Sequence, residues 1–243
     1  MSYILALISG LMLGTLGGGG SILIVPILIY IVGLDPKLAI ALSLAIVFLA
    51  SSTTVITNLK SKSINYKIAL IFIPFSLTGT FIGSHFSKYL SSTTQLIIFT
   101  VVMLTVAITM LKKGKEAPSQ DFSKTSFGTK AILVGILTGV IGVGGGFLIV
   151  PTLNIAAKQT IKVSISTSLL IIALNSLGGF IQYINILVIP WDFLIPFAVL
   201  TSVGSIVGSI ASKNIKPESL KSYFAYFLII MSIFITIKEL LLT

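Results

Sequence analysis

The chain carries one interrupted apolar segment twice. Residues 10–28 read GLMLGTLGGGGSILIVPIL, and residues 135–153 read GILTGVIGVGGGFLIVPTL. At an offset of 125, ten of these nineteen positions are identical, including Gly10/Gly135, Gly14/Gly139, Gly17/Gly142, Gly19/Gly144, Gly20/Gly145 and Pro26/Pro151. In each copy a glycine cluster and a proline break a long apolar run. Such a break frees backbone N–H and C=O groups that lipid cannot pair, so it is tolerated only against protein or a polar cavity. Paired breaks in corresponding halves of a chain point to a transporter's binding site.

The offset persists well beyond the glycines. Lys37 matches Lys162, Ser43 matches Ser168, Leu44 matches Leu169 and Ser51 matches Ser176. Further on, Phe72/Phe197, Gly79/Gly204, Gly83/Gly208 and Ser84/Ser209 also pair. The expected organisation is a first transmembrane repeat over 1–111, a polar cytoplasmic connector over 112–127 and a second repeat over 128–243. The first run lacks a basic n-region and its motif recurs inside the chain, so it reads as part of the folded protein rather than a signal peptide.

Only 9% of residues are charged and 55% are hydrophobic, against about 25% charged in soluble domains. Apolar runs near the ~20 residues needed to cross hydrocarbon fill most of the chain. An all-α polytopic membrane protein is expected, with no room for a soluble catalytic domain. The absence of cysteine excludes disulfides and thiolate chemistry. With a single histidine and no paired acids inside an apolar segment, no enzyme, metal site or cofactor is expected. All sixteen basic residues are lysines and they lie between apolar runs. That pattern reads as topology control, with no nucleic-acid partner.

Each unit divides into four apolar segments: 3–32, 38–58, 66–86 and 93–111, then 129–157, 163–184, 191–211 and 219–242. If every first segment crossed the membrane once, the lysines would divide 9:7 between the two sides. If each first segment instead turned back at its glycines, one side would keep Lys37, Lys88 and Lys238, and the other would collect the remaining thirteen. The positive-inside rule favours the second arrangement. The halves 3–16 and 21–32 would also each span only about 20 Å, too short to cross alone. The expected fold is therefore two inverted repeats, each a re-entrant first segment plus three transmembrane helices.

Successive N–H groups in glycine turns form anion-binding nests, and a helix starting after the turn adds its positive end. Gly17, Gly18, Gly19, Gly20 and Ser21 in the first copy, and Gly144, Gly145 and Gly146 in the second, are the candidate ligands. Pro26 and Pro151, lacking an N–H, would suit the first turn of those helices. Ser43, Thr167, Ser168 and Asn175 are candidate polar partners. The wider-spaced glycines Gly10/Gly14, Gly79/Gly83 and Gly204/Gly208 read as helix-packing positions. No acid lies mid-segment to relay protons. His85 reads as an interfacial residue, and Tyr66 and Trp191 as interfacial anchors.

The residues 14–28 (GTLGGGGSILIVPIL) and 139–153 (GVIGVGGGFLIVPTL), with the stretches Ala39–Ser43 and Ser164–Ser168, make the sequence similar to the TauE/SafE family of membrane permeases. The resemblance covers both halves; Val143 and Ser21 break its symmetry. It implies a multi-pass protein of the cell membrane that exports small sulfur-containing anions, such as sulfite or organosulfonates. An anion channel or a permease for other small anions is the alternative. The implied partners are the small anion and the lipid bilayer, with a homo-oligomer left open. A membrane potential of ~100 mV, negative inside, favours exit of a monovalent anion by about 2.3 kcal/mol, so export needs no coupling ion.

Overall fold

The computed structural model describes residues 2–59, 63–87, 89–111, 124–141, 146–184 and 186–242. Every regular element among them is helical. The first unit holds α1 (Ser2–Leu16), α2 (Gly19–Pro26), α3 (Pro36–Asn58), α4 (Tyr66–Ser87) and α5 (Ser92–Leu111). The second holds α6 (Lys124–Ile141), α7 (Gly146–Ile155), α8 (Ile161–Ile184), α9 (Trp191–Ser212) and α10 (Pro217–Leu242). Among the described residues, five helices are long and apolar enough to cross a membrane: Pro36–Asn58, Tyr66–Ser87, Ile161–Ile184, Trp191–Ser212 and Pro217–Ile237. Large apolar side chains such as Leu70, Phe81, Ile181, Val199 and Ile230 stay on the outer surface, where lipid rather than water would meet them.

Local chemistry explains where these helices begin and break. Asp35 precedes Pro36 and accepts hydrogen bonds from the N–H groups of Lys37 (2.9 Å) and Leu38 (3.4 Å). It caps α3 with proline at a position where no N–H is needed. Between α1 and α2 the chain turns at Gly17, whose φ of +70° only glycine adopts without strain. A side chain at Gly20 would run into the Ser9 carbonyl and the Leu13 amide, so this glycine lets α2 lie directly on α1.

Two expectations need correction. Pro26 and Pro151 do not sit in first turns: Pro26 closes α2, and Pro151 lies inside α7. Pro26 is followed by a π-helical turn, Ile27–Ile31. The missing N–H and the ring's demand for space widen the helix there instead of starting it. Helix α6 also begins at Lys124, before the apolar run that marks it in the sequence, because polar residues can extend a helix beyond the apolar core. Most of the connector, 112–123, lies outside the described residues.

The units are interlocked. Helix α1 packs against α9, and α4 packs against α6. Side chains at Gly10 and Gly14 would collide with the carbonyls of Thr201 and Ser205, and at Gly204 and Gly208 with those of Leu7 and Leu11. Gly79 and Gly83 meet Ile132 and Ile136 in the same way, and Gly135 and Gly139 meet Ser76 and Thr80. The wide-spaced glycines are therefore packing residues, as their spacing suggests. Because successive turns meet in step, α1 runs in the same direction as α9, and α4 in the same direction as α6.

Helices α3 and α8 are the most enclosed of the five long ones. Thr54 Oγ1 and Ser205 Oγ lie 2.6 Å apart, and Asn58 donates to Ser209 Oγ at 2.6 Å, so α3 runs with α9. The Asn65 N–H donates to Thr167 Oγ1 (2.9 Å), Ser76 pairs with Asn175, and Ser84 donates to Gln182 Oε1 (3.3 Å), so α4 runs with α8. Helices α3 and α8 oppose each other: Leu44 near the start of α3 meets Gly179 near the end of α8. Ala50 and Val55, later in α3, share a buried cluster with Leu169, early in α8.

Gly14→Val should separate α1 from α9 and cost on the order of 3 kcal/mol. Gly128→Ala should be nearly neutral, because its Cβ would meet only the Phe75 ring at 3.3 Å. Thermal melts of the two purified variants against wild type test this; equal melting temperatures would refute the packing role.

Candidate functional site at the meeting of the two glycine motifs

Helices α2 and α7 meet at their N-termini. A Cβ on Gly18 would overlap the Gly146 carbonyl group, and one on Gly146 would stand 2.8 Å from Gly18 Cα and 2.8 Å from Ile172 Cδ1. Gly17 presses on α8: its Cβ would lie 2.8 Å from Ser168 Oγ and 2.9 Å from Val150 Cγ2. The glycines thus allow backbone-to-backbone contact between the halves of the chain. Two helix starts, each with a partial positive charge, are brought to one buried place.

No side chain caps α2 at Gly18. Ser21, which could have capped it, donates instead to the Gly18 carbonyl at 2.7 Å. A Cβ on Gly19 would face Leu16 and the Phe224 ring of α10. Gly144 and Gly145 lie in 142–145, outside the described residues.

The other candidates fall into two groups. Ser43 donates to the Ile40 carbonyl (2.7 Å) and Ser168 to the Ile165 carbonyl (2.8 Å). Each oxygen keeps acceptor capacity but has used its donor. Ser168 lies at Gly17. Thr167 and Asn175 are engaged elsewhere: Thr167 holds the Asn65 amide, and Asn175 exchanges hydrogen bonds of 3.0 and 3.1 Å with Ser76. Both fasten α8 to α4 and the residue before it.

Asn175 also lines a cavity between α3, α4, α6 and α8, together with Leu44, Thr80, Ser84, Thr138 and Tyr183. Sequence reasoning did not single out Thr80, Thr138 or Tyr183. Their signal lay in the departures from the repeat, since Thr138 stands where the first unit has Leu13, and Asn175 where it has Ala50. At the equivalent place in the other half, Leu13, Ala50 and Leu169 close together with Val55 and Ile64 in a buried apolar cluster. The equivalents of Thr80, Ser84 and Tyr183 there are Ser205, Ser209 and Asn58, which are buried and hydrogen-bonded across α3 and α9, so that half is packed by apolar and polar contacts together.

The buried polar side chains among the described residues are serine, threonine and asparagine. No group of three or more His, Asp or Glu residues that could hold a metal occurs among them. His85 is exposed at the end of α4 and packs edge-on against Phe86 and Tyr89. The arrangement can therefore offer an anion backbone and hydroxyl dipoles, but no buried cation.

The profile of the family described as Sulfite exporter TauE/SafE matches residues 2–235. The chain belongs to the TauE/SafE family. A probable membrane transporter protein of Xylella fastidiosa is 29% identical to this TauE/SafE chain over 235 residues, covering 93% of it and 90% of the relative. The probable membrane transporter protein YunE of Bacillus subtilis is 26% identical over 251 residues, covering 90% and 92%. The Sulfite exporter TauE/SafE family protein 3 of Arabidopsis thaliana is 31% identical over 115 residues, covering 44% of this chain and 24% of the relative. No solved structure matches. With its apolar helices, this TauE/SafE protein is a multi-pass membrane transporter of the cell membrane.

Gly18→Ala in this TauE/SafE protein should force α2 from α7 and cost about 2 kcal/mol or more. Gly19→Ala, whose Cβ would meet only side chains at 3.2 and 3.3 Å, should cost under about 1 kcal/mol. Melting temperatures in detergent would separate the two; an unchanged Gly18→Ala protein would show that the motifs do not touch.

Proposed function

We propose that this transporter exports a small sulfur-containing oxyanion, sulfite or an organosulfonate, bound between the two glycine motifs of an inverted-repeat frame. The observation that carries the reading is the abutment of the α2 and α7 N-termini at Gly18 and Gly146. Two helix starts at one buried place form an anion site without arginine. The proposed ligands are Gly17, Gly18, Gly19, Gly20, Ser21, Gly144, Gly145 and Gly146, with Ser43, Thr167, Ser168 and Asn175 around them. The name of the Arabidopsis relative and the description of the family speak for sulfite.

The inverted arrangement draws support from helix direction. Helices α1 and α3 both run with α9, while α6 and α8 go with α4. Equivalent helices α3 and α8 are opposed. For α1 and α3 to share a direction, α2 must return toward the side that α1 left, which makes the first segment re-entrant. Repeats of 1–111 and 128–243 then have opposite topology, a common transporter design.

The lysines agree with this frame. Asn65, before α4, touches Thr167, early in α8, and Lys162 donates to the Lys213 carbonyl after α9. The starts of α4 and α8 and the end of α9 thus share one end of the bundle, the end of the thirteen lysines. The cavity beside Asn175 lies toward the other, lysine-poor end, while the cluster of Leu13, Ala50 and Leu169 packs toward the lysine-rich end. That one-sided packing favours a carrier that exposes its site alternately over a channel with a continuous pore.

Proteoliposomes loaded with sulfite test the reading. A valinomycin potential of 100 mV, negative inside, should drive a monovalent anion out to a ratio of about fiftyfold. Sulfite efflux should saturate, and carboxylates should compete weakly. Tags at the N-terminus and within 112–123 should report opposite sides of the membrane; the same side would sink the inverted frame.

A further inference from the structure

Ser51 on α3 and Ser176 on α8 occupy equivalent positions of the repeat, and both are fully buried. Neither hydroxyl has a hydrogen-bond partner. That is unusual within this protein. Ser9, Ser43, Thr54, Thr80, Thr138, Ser168 and Thr201, all buried in helices, each return a hydroxyl to a carbonyl three or four residues back. A serine in mid-helix always has such a carbonyl within reach. A buried hydroxyl left unpaired is destabilising, yet the same cost is present at both equivalent positions.

Helical phase shows where these hydroxyls sit. Ser168, Ile172 and Ser176 follow one another at i, i+4 and i+8, and so form one ridge of α8. Ser168 lies against Gly17 and Ile172 against Gly146. Ser176 is the next member of that ridge, one turn beyond the contact between the glycine motifs. Ser43, Val47 and Ser51 make the equivalent ridge on α3. The antiparallel contact of Leu44 with Gly179 brings the two ridges past each other in the middle of the bundle. A third unpartnered serine, Ser164, stands in the first turn of α8 and has Ala39 as its counterpart. Only the Ser51/Ser176 pair is duplicated.

We infer that Ser51 and Ser176 are substrate ligands, their hydroxyls donating to the oxygens of an oxyanion held at the first turns of α2 and α7. The inference rests on the export reading above and adds to it the side-chain donors. Backbone amides supply charge complementarity from one direction. The two hydroxyls supply directional donors from α3 and α8. A pyramidal or tetrahedral oxyanion presents at least three acceptor oxygens and can engage both sets at once, whereas a halide presents a single centre. The pair therefore selects for oxyanions.

The test uses the full-length protein, with sodium sulfite as the probe and Ser51→Ala, Ser176→Ala and their double variant. Because the hydroxyls have no partner without substrate, all three variants should melt at or above the wild-type temperature. Each single variant should raise the KM for sulfite efflux about tenfold, and the double variant should raise it further. Ser232→Ala, which removes a hydroxyl bonded to the Leu228 carbonyl on α10, should leave KM unchanged. Well-folded single and double variants with wild-type KM would overturn the assignment of the serines while leaving the export reading intact. Lowered melting temperatures with unchanged KM would do the same and mark the hydroxyls as structural. Wild-type protein that moves no sulfite would overturn the export reading, and the serine assignment with it.

Discussion

Contact between bare backbones organises this protein. In a bilayer, lipid tails solvate apolar side chains as well as other helices do, so helices associate through close packing and dipolar contacts rather than through the hydrophobic effect. Gly10 and Gly14 let α1 touch the α9 carbonyls, while Gly135 and Gly139 let α6 touch those of α4. Each of these contacts joins the first helix of one unit to the fourth helix of the other. Neither unit can complete its own packing, and α3 and α8 are enclosed at the centre as a result. The same device brings α2 and α7 end to end, so the geometry of the proposed site and the assembly of the bundle follow from one property, the absence of Cβ atoms.

The second constraint is the absence of buried charge among the described residues. A buried lysine or arginine would bind an anion tightly, but it would need a partner whenever the anion left. Serine, threonine and asparagine avoid that problem. Most of their hydroxyls are satisfied by their own helix, and amide dipoles at helix starts are fixed by the fold. A site built this way holds an anion weakly and releases it easily. For the export proposed above, weak binding is no handicap, because the potential itself supplies about 2.3 kcal/mol per charge at 100 mV.

The duplication, the break at Gly17 and the packing role of the spaced glycines were all legible in the sequence, because each depends on local residues or on identity between the halves. The positions of Pro26 and Pro151 were misread. A proline in an apolar run is equally compatible with a first turn and with a widened helix, and only the start of α2 at Gly19 decides between them. The engagement of Thr167 with Asn65 and of Asn175 with Ser76 was invisible for a different reason. Those bonds join residues 102 and 99 positions apart, and they follow from which helices become neighbours. The repeat offset predicts which residues are equivalent; it does not say which ones touch.

Some of the differences between the two halves fall around the cavity. Leu13 and Ala50 pack in one apolar cluster with Leu169, and their counterparts Thr138 and Asn175 line the cavity. Thr54 and Asn58 tie α3 to α9 through Ser205 and Ser209, while the counterparts of that pair are Gly179 and Tyr183, which cannot reproduce both bonds. A perfectly repeated chain would close either half at equal cost. The α4–α8 seam carries its own bonds instead, between Ser76 and Asn175 and between Ser84 and Gln182, so the two halves are fastened at different places. A ligand can shift which half is closed only by binding one arrangement more tightly than the other. Two hydrogen bonds to the oxyanion proposed above, at a net of about 1 kcal/mol each, amount to roughly thirtyfold, enough for the cargo itself to set which half is closed.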